Sequence, residues 1–89
     1  MHYMVVERFR GGEAAPVYKR FAEKGRLAPA GLEYVTSWVN LEQGVCYQVM
    51  ACDDPALLQE WMGNWSDLVD FEVLPVVTSA EAAATILPA

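Results

Sequence analysis

Six polar and aromatic side chains in the predicted strands could together hold a small organic molecule. They are two carboxylates, an amide, a hydroxyl and two aromatic rings: Glu7, Glu72, Gln48, Thr36, Tyr34 and Trp38. Aromatic walls with a few placed polar groups are the usual lining of a ligand pocket. Burial raises the pKa of a glutamic acid, so Glu7 or Glu72 could also exchange a proton with a bound molecule. Alternatively, these groups hydrogen-bond one another across a subunit interface or lie exposed at strand ends.

No cofactor is expected from the residue types that bind metals or haem. The chain has one histidine, His2, and two cysteines, Cys46 and Cys52. If both cysteines lie in one strand they are about 20 Å apart, which is too far for a disulfide within the chain. We expect both to be small buried side chains, and no metal site.

Hydrophobic periodicity predicts the elements that position these residues. Alternating apolar runs bounded by glycine and proline predict strands over residues 2–10, 32–41, 45–52 and 68–77. Residues 13–26 have the stripe of an amphipathic helix, Asp53-Asp54-Pro55 opens a second, and Thr78-Ser79-Ala80-Glu81 is a capping box that opens a third.

The second predicted helix holds two of the three tryptophans. Leu58, Trp61, Met62 and Trp65 are spaced as one face of a helix. This stripe favours packing against a sheet over an aromatic ligand box.

The order of the elements is strand, helix, strand, strand, helix, strand and a final helix. This order predicts an α+β, ferredoxin-like fold over residues 1–89, a single domain. Right-handed crossovers give an antiparallel sheet of strand order 4-1-3-2, with both crossover helices on one face.

The second predicted strand is apolar on both sides, which indicates that the other face of the sheet is also covered. Hydrophobic residues make up 54% of the chain, more than a small monomer needs. We therefore expect a homodimer in which two sheets form an α/β barrel. If Val35 and Val39 face the helices, then Tyr34, Thr36 and Trp38 face the barrel interior, together with Gln48, Glu72 and Glu7.

The net charge of −6 argues against a nucleic-acid partner and against docking on an anionic membrane. All six basic residues lie within the first 26 positions, so the two halves of the chain are expected to pair their charges. Arg8 and Arg10 should lie near Asp67 and Asp70, either as ion pairs or, with Arg20, as an anion site. Without a membrane span or a secretory signal, the expected location is the cytoplasm.

Six segments of the chain together carry a resemblance: HYMVVERFR, YKRF, GLEYVTSW, CDDPALLQEW, NWSDLVDFEVLPV and the Glu81-Ala82-Ala83 tail. They resemble a small bacterial family of unknown function with a dimeric α/β-barrel, ferredoxin-like fold. The resemblance implies a homodimer and no particular activity. The architecture is more distantly similar to cofactor-independent monooxygenases, muconolactone isomerases and stress-responsive barrel proteins, at the level of fold alone.

Three functions are compatible with these patterns. The first is a homodimer that binds a small apolar or aromatic ligand. The second is a cofactor-independent isomerase or monooxygenase-like enzyme with Glu72 or Glu7 as the base beside Trp38. The third is a stress-related interaction protein whose outer surface matters more than its cavity.

Overall fold

The alternating apolar runs form one antiparallel sheet. The structure is a computed structural model, and it describes residues 1–87. Its strands are β1 His2–Phe9, β2 Glu33–Asn40, β3 Val45–Ala51 and β4 Val69–Val76. Its α-helices are α1 Ala15–Lys24, α2 Ala56–Gly63 and α3 Ser79–Ile86. The last two positions of the predicted domain lie outside the described residues.

The strand order is β2-β3-β1-β4, which is the predicted order 4-1-3-2 written from the other edge. All three strand pairs are antiparallel. The α+β, ferredoxin-like fold is therefore confirmed.

Local signals in the sequence set where the helices begin and end. Pro16 lies in the first turn of α1, where a missing N–H costs no hydrogen bond. The Asp54 carboxylate accepts a hydrogen bond from the Ala56 N–H at 3.0 Å, at the start of α2. Thr78 and Glu81 form the predicted capping box at the start of α3.

The two neighbouring tryptophans belong to the core, as predicted. Trp61 is 1% exposed and Trp65 is 5% exposed, and Leu58 is buried beside them. The rings of Trp61 and Phe71 lie 5.8 Å apart in a tilted arrangement, so α2 packs directly against β4.

The register between strands decides which side chains share a face. Glu7 of β1 is opposite Cys46 of β3 and Phe71 of β4, and Val5 is opposite Gln48. These positions lie on the side of the sheet that packs against the helices. The neighbouring positions in each strand therefore form the opposite face, which we call the open face.

A β-bulge in β2 corrects one prediction. The register with β3 shifts between Tyr34 and Thr36, so Tyr34 pairs with the core residue Met50, whereas Thr36 pairs with Val49 on the open face. Tyr34 therefore does not share a face with Thr36 and Trp38, because the extra residue at the bulge reverses the alternation.

Both cysteines are buried and unbonded within residues 1–87, as predicted. None of the helices in that range is long and apolar enough to cross a membrane. Among the same residues, no group of three or more His, Cys, Asp or Glu side chains is arranged to hold a metal ion.

Candidate functional site

A cleft opens between α1, α2 and the helix-facing side of the sheet. Its volume is about 100 Å³, and one side is open to solvent. The aromatic residues that line it are Phe9, Tyr18, Phe21, Trp61 and Trp65. The polar residues that line it are Glu7, Arg26, Ser37, Cys46 and Gln48. The space suits a molecule about the size of a single ring.

The cleft exists because α1 does not close fully over the sheet. No residue of α1 is completely buried in the described structure, and Tyr18 and Phe21 remain half-exposed. The helical stripe predicted for α1 therefore faces the sheet but leaves a gap. The ring of Tyr18 packs edge-on against Phe9 at 6.4 Å and forms one wall of that gap.

A chain of polar contacts runs along the cleft. The Gln48 Nε2 group donates a hydrogen bond to Glu7 Oε2 at 3.0 Å, and Arg26 donates one to Gln48 Oε1. Glu7 is 8% exposed and Gln48 is 2% exposed. No buried side-chain nitrogen or oxygen in residues 1–87 is left without a partner, so these buried polar groups are satisfied.

Burial changes the acidity of two groups in the cleft. It raises the pKa of Glu7 from 4.5 to about 7, although the Cys46 thiol and the positive charge of Arg26 act in the opposite direction. Burial, followed by the negative charge of Glu7, raises the pKa of Cys46 to about 12. Glu7 can therefore gain or lose a proton near neutral pH, whereas Cys46 remains a thiol.

The backbone that carries Arg26 is held in place by the two core tryptophans. The indole N–H groups of Trp61 and Trp65 each donate to the Arg26 carbonyl oxygen at 3.0 Å. The side-chain amide of Asn64 donates to the Leu27 carbonyl at 3.2 Å. Leu27 has a φ of 61°, which is unfavourable for a residue with a side chain. Three side-chain donors thus stabilise a strained turn that presents Arg26 to the cleft.

Two aromatic rings hold the Arg26 guanidinium. Its central carbon lies 3.8 Å from the centroid of the Tyr34 ring and 5.2 Å from that of Phe21. The Tyr34 hydroxyl is 2.8 Å from the Ser37 hydroxyl, which fixes the tyrosine ring at the cleft edge. These contacts limit the orientation of the guanidinium plane.

The structure divides the six predicted site residues between the two faces of the sheet. Glu7 and Gln48 line the cleft, and Tyr34 lies beside it through its contact with Arg26. The other three, Thr36, Trp38 and Glu72, belong to the open face. The prediction that all six surround one space is wrong, because strand register places Glu7 and Glu72 on opposite faces.

Arg26 and Cys46 are cleft residues that the sequence prediction missed. A signal for Cys46 was present, since it stands two positions from Gln48 in one strand and so shares its face. For Arg26 the signal was weak. It follows Gly25, which ends α1 with a φ of 70°, and nothing local indicates where the loop folds.

Basic residues from the first half of the chain form ion pairs with acidic residues from the second half, as predicted. Arg8, Arg10 and Arg20 therefore form separate ion pairs and not the anion site that was the alternative. Arg8 pairs with Glu72 at 3.2 Å and Arg10 with Asp70 at 3.1 Å. The third pair is a two-pronged contact of Arg20 with both carboxylate oxygens of Asp67, each at 2.7 Å. Hydrogen bonds from Arg20 lower the pKa of Asp67 to about 2. Each guanidinium thus has its own carboxylate, and no shared anion site forms from the three.

A protein-family model described as "Domain of unknown function (DUF3303)" matches residues 1–89 of the chain. The chain belongs to this family. No curated protein and no solved structure matches the chain. Because the description of DUF3303 assigns no activity, a function has to be inferred from the chemistry of the cleft.

Proposed function

We propose that the chain is a small-molecule-binding protein and that the cleft beside α1 is its site. The observation that carries the proposal is the buried pair of Glu7 and Gln48 at the base of an open, aromatic-lined cleft. Burying a carboxylate costs several kcal/mol unless it is compensated, so an unspecialised core would place an apolar residue there. A carboxyl and an amide between aromatic walls can orient a ligand that the walls hold by apolar contact.

The tryptophans provide a direct test by NMR. Single-ring aromatic compounds should shift the indole N–H signals of Trp61 and Trp65 in a saturable way, while Trp38 on the open face serves as an internal control. Val17→Phe places a large ring in the cleft from α1 and should abolish the shifts. The matched control Lys19→Phe adds the same ring to an exposed position of α1 and should leave them unchanged. Absence of saturable shifts with every compound would reject the cleft as a binding site.

A second candidate function is a cofactor-independent proton transfer with Glu7 as the base. It is favoured by one observation, the pKa of Glu7 of about 7 inside the cleft. Glu7 would take a proton from the carbon next to a carbonyl and return it to the same or a neighbouring carbon, so no oxidant is needed. Glu72, the other base predicted from the sequence, lies on the open face and pairs with Arg8.

Acetophenone, a single-ring ketone, is a suitable probe for this reaction. The protein in D₂O should accelerate the exchange of its methyl protons, as measured by NMR, and Glu7→Gln should remove the acceleration. Glu72→Gln is the matched control and should retain it. Equal exchange rates with and without protein would reject proton transfer while leaving the binding function intact.

We also propose that the open face packs against a second copy of the chain. Trp38 is 75% exposed, and its register partner Tyr47 and the β4 residue Leu74 are half-exposed on the same face. The sheet spans about 19 by 26 Å, from strand spacings of about 4.8 Å and a rise of about 3.3 Å per residue. This flat area is about 500 Å² per chain, which is smaller than the roughly 800 Å² per partner of an ordinary interface before the projecting side chains are added.

Light scattering tests the homodimer. The wild-type mass should correspond to two chains, and Trp38→Glu, which puts a charge on the most exposed aromatic residue of the open face, should give one. Leu41→Glu changes an equally prominent apolar residue in the β2–β3 turn and should leave the dimer intact. A wild-type mass of one chain at micromolar concentration would contradict the proposal.

A further inference from the structure

Arg26 differs from the other arginines of the described structure in its charge balance. Arg8, Arg10 and Arg20 each have a carboxylate within 4.0 Å, but no carboxylate in residues 1–87 lies that close to Arg26. The nearest acidic group along its polar contacts is Glu7, which is reached through Gln48. Arg26 therefore brings a positive charge into the cleft that the described part of the chain does not neutralise directly.

The guanidinium also has donors to spare. A guanidinium carries five N–H donors in a flat fork, and the structure of residues 1–87 gives one side-chain hydrogen bond from Arg26, to Gln48. Stacking against Tyr34 and Phe21 restricts the plane of the fork before any ligand arrives. A flat, restricted fork with unused donors matches the two oxygens of a carboxylate better than a single hydroxyl or amide.

We infer that the cleft selects a small planar organic anion, such as a carboxylate on a single ring, with Arg26 as its charged partner and Glu7 as the group that takes up a proton on binding. This inference rests on the proposed binding function and adds the class of ligand. A cation is disfavoured, because Arg26 is always charged, whereas Glu7 is ionised only part of the time near neutral pH.

The coupling to a proton follows from the groups that face Glu7. Cys46 faces it from β3, Tyr18 from α1, and Arg26 from the loop after α1. The side chains opposite it on β4 and α2, Phe71 and Trp61, do not titrate. An anion beside Arg26 adds a negative charge near Glu7 and so favours the protonated carboxyl. Anion binding and proton uptake should therefore strengthen each other.

Benzoate, benzamide and benzylamine distinguish the possible ligand charges at constant ring size. Titration of the full chain at pH 6, followed by the indole signals of Trp61 and Trp65, should give an affinity for benzoate about tenfold or more above that for benzamide. Benzylamine should bind most weakly. Between pH 6 and pH 8 the benzoate affinity should fall by about tenfold, because Glu7 loses its proton, and the benzamide affinity should stay nearly constant.

Two variants assign the effect to its residues. Arg26→Gln should remove the preference for benzoate over benzamide, and Arg26→Lys should keep part of it. Arg8→Gln removes a positive charge from the open face, away from the cleft, and should leave the preference for benzoate over benzamide unchanged. Glu7→Gln resembles the protonated carboxyl, so it should bind benzoate at pH 8 about as tightly as the wild type does at pH 6.

The outcomes separate this inference from the proposed function. If benzamide binds as tightly as benzoate, or if the preference survives in Arg26→Gln, the anion selectivity is wrong and the binding cleft stands. If none of the three compounds shifts the indole signals, both fail. In each variant, indole signals of Trp61 and Trp65 that stay dispersed as in the wild type would show that the variant is folded. If Arg26→Gln loses these signals, the inference is tested by the pH dependence of benzoate binding in the wild type and in Glu7→Gln. A benzoate affinity of the wild type that does not fall between pH 6 and pH 8 would then contradict it.

Discussion

Replacing Glu7 by glutamine should stabilise the protein at alkaline pH and leave it nearly unchanged at acidic pH. Glutamine has the shape of the protonated glutamic acid and can still accept the hydrogen bond from the Gln48 side chain. It differs in never carrying the negative charge that burial disfavours. The substitution therefore isolates the cost of ionising a carboxyl in the cleft.

The size and sign of the effect follow from the pKa of Glu7, which burial raises from 4.5 to about 7. Below about pH 4.5 the carboxyl is protonated in both the folded and the unfolded state, so its ionisation costs nothing. Between pH 4.5 and 7 the folded state retains a proton that the unfolded state has released, so the free energy of unfolding falls as the pH rises. At about 1.4 kcal/mol per pH unit, the loss reaches about 3 kcal/mol above pH 7.

Urea denaturation of the wild type and of Glu7→Gln from pH 4.5 to pH 8.5 would measure this difference at a fixed chain concentration. The variant should be more stable by about 3 kcal/mol at pH 8, and the two proteins should converge near pH 4.5. Glu23→Gln, at an exposed carboxylate of α1, should change the stability by less than about 1 kcal/mol at either pH. If the difference in the free energy of unfolding between Glu7→Gln and the wild type does not vary with pH, the conclusion that burial raises the pKa of Glu7 is refuted.

Three further expectations concern the core, the backbone and the last helix. Trp61→Ala and Trp65→Ala should each lower the free energy of unfolding in urea by about 3–5 kcal/mol, and losses under about 1 kcal/mol would contradict their core positions. Gly44→Ala should lower the free energy of unfolding by at least about 1 kcal/mol more than Gly12→Ala. Both glycines have a positive φ, but an added Cβ at Gly44 would lie 2.9 Å from the Gly12 backbone. Equal melting temperatures of the two variants would argue against that close approach. Thr78→Ala removes the hydroxyl that caps α3 and should weaken the helix by about 1 kcal/mol, seen as faster amide exchange within α3 but not within the sheet.

Much of the fold can be predicted from the sequence because it depends on local patterns. The order of strands and helices follows from the hydrophobic period, and the capping box of Thr78 and Glu81 specifies the start of α3 through residues three positions apart. The burial of Trp61 and Trp65 follows from their helical spacing. Each of these features is encoded within one or two turns of chain.

The location of the site cannot be predicted from such local patterns, because it depends on contacts between distant segments. A single bulge at Val35 turns Tyr34 toward the helices, and the pairing of β1 with β4 separates Glu7 from Glu72. Arg26 reaches the cleft because tryptophans 35 and 39 positions away donate hydrogen bonds to its carbonyl oxygen. Alternation along a strand tells which residues share a face, but a slip of one residue exchanges the faces. The tertiary structure alone therefore decides that Glu7, Gln48 and Arg26 meet.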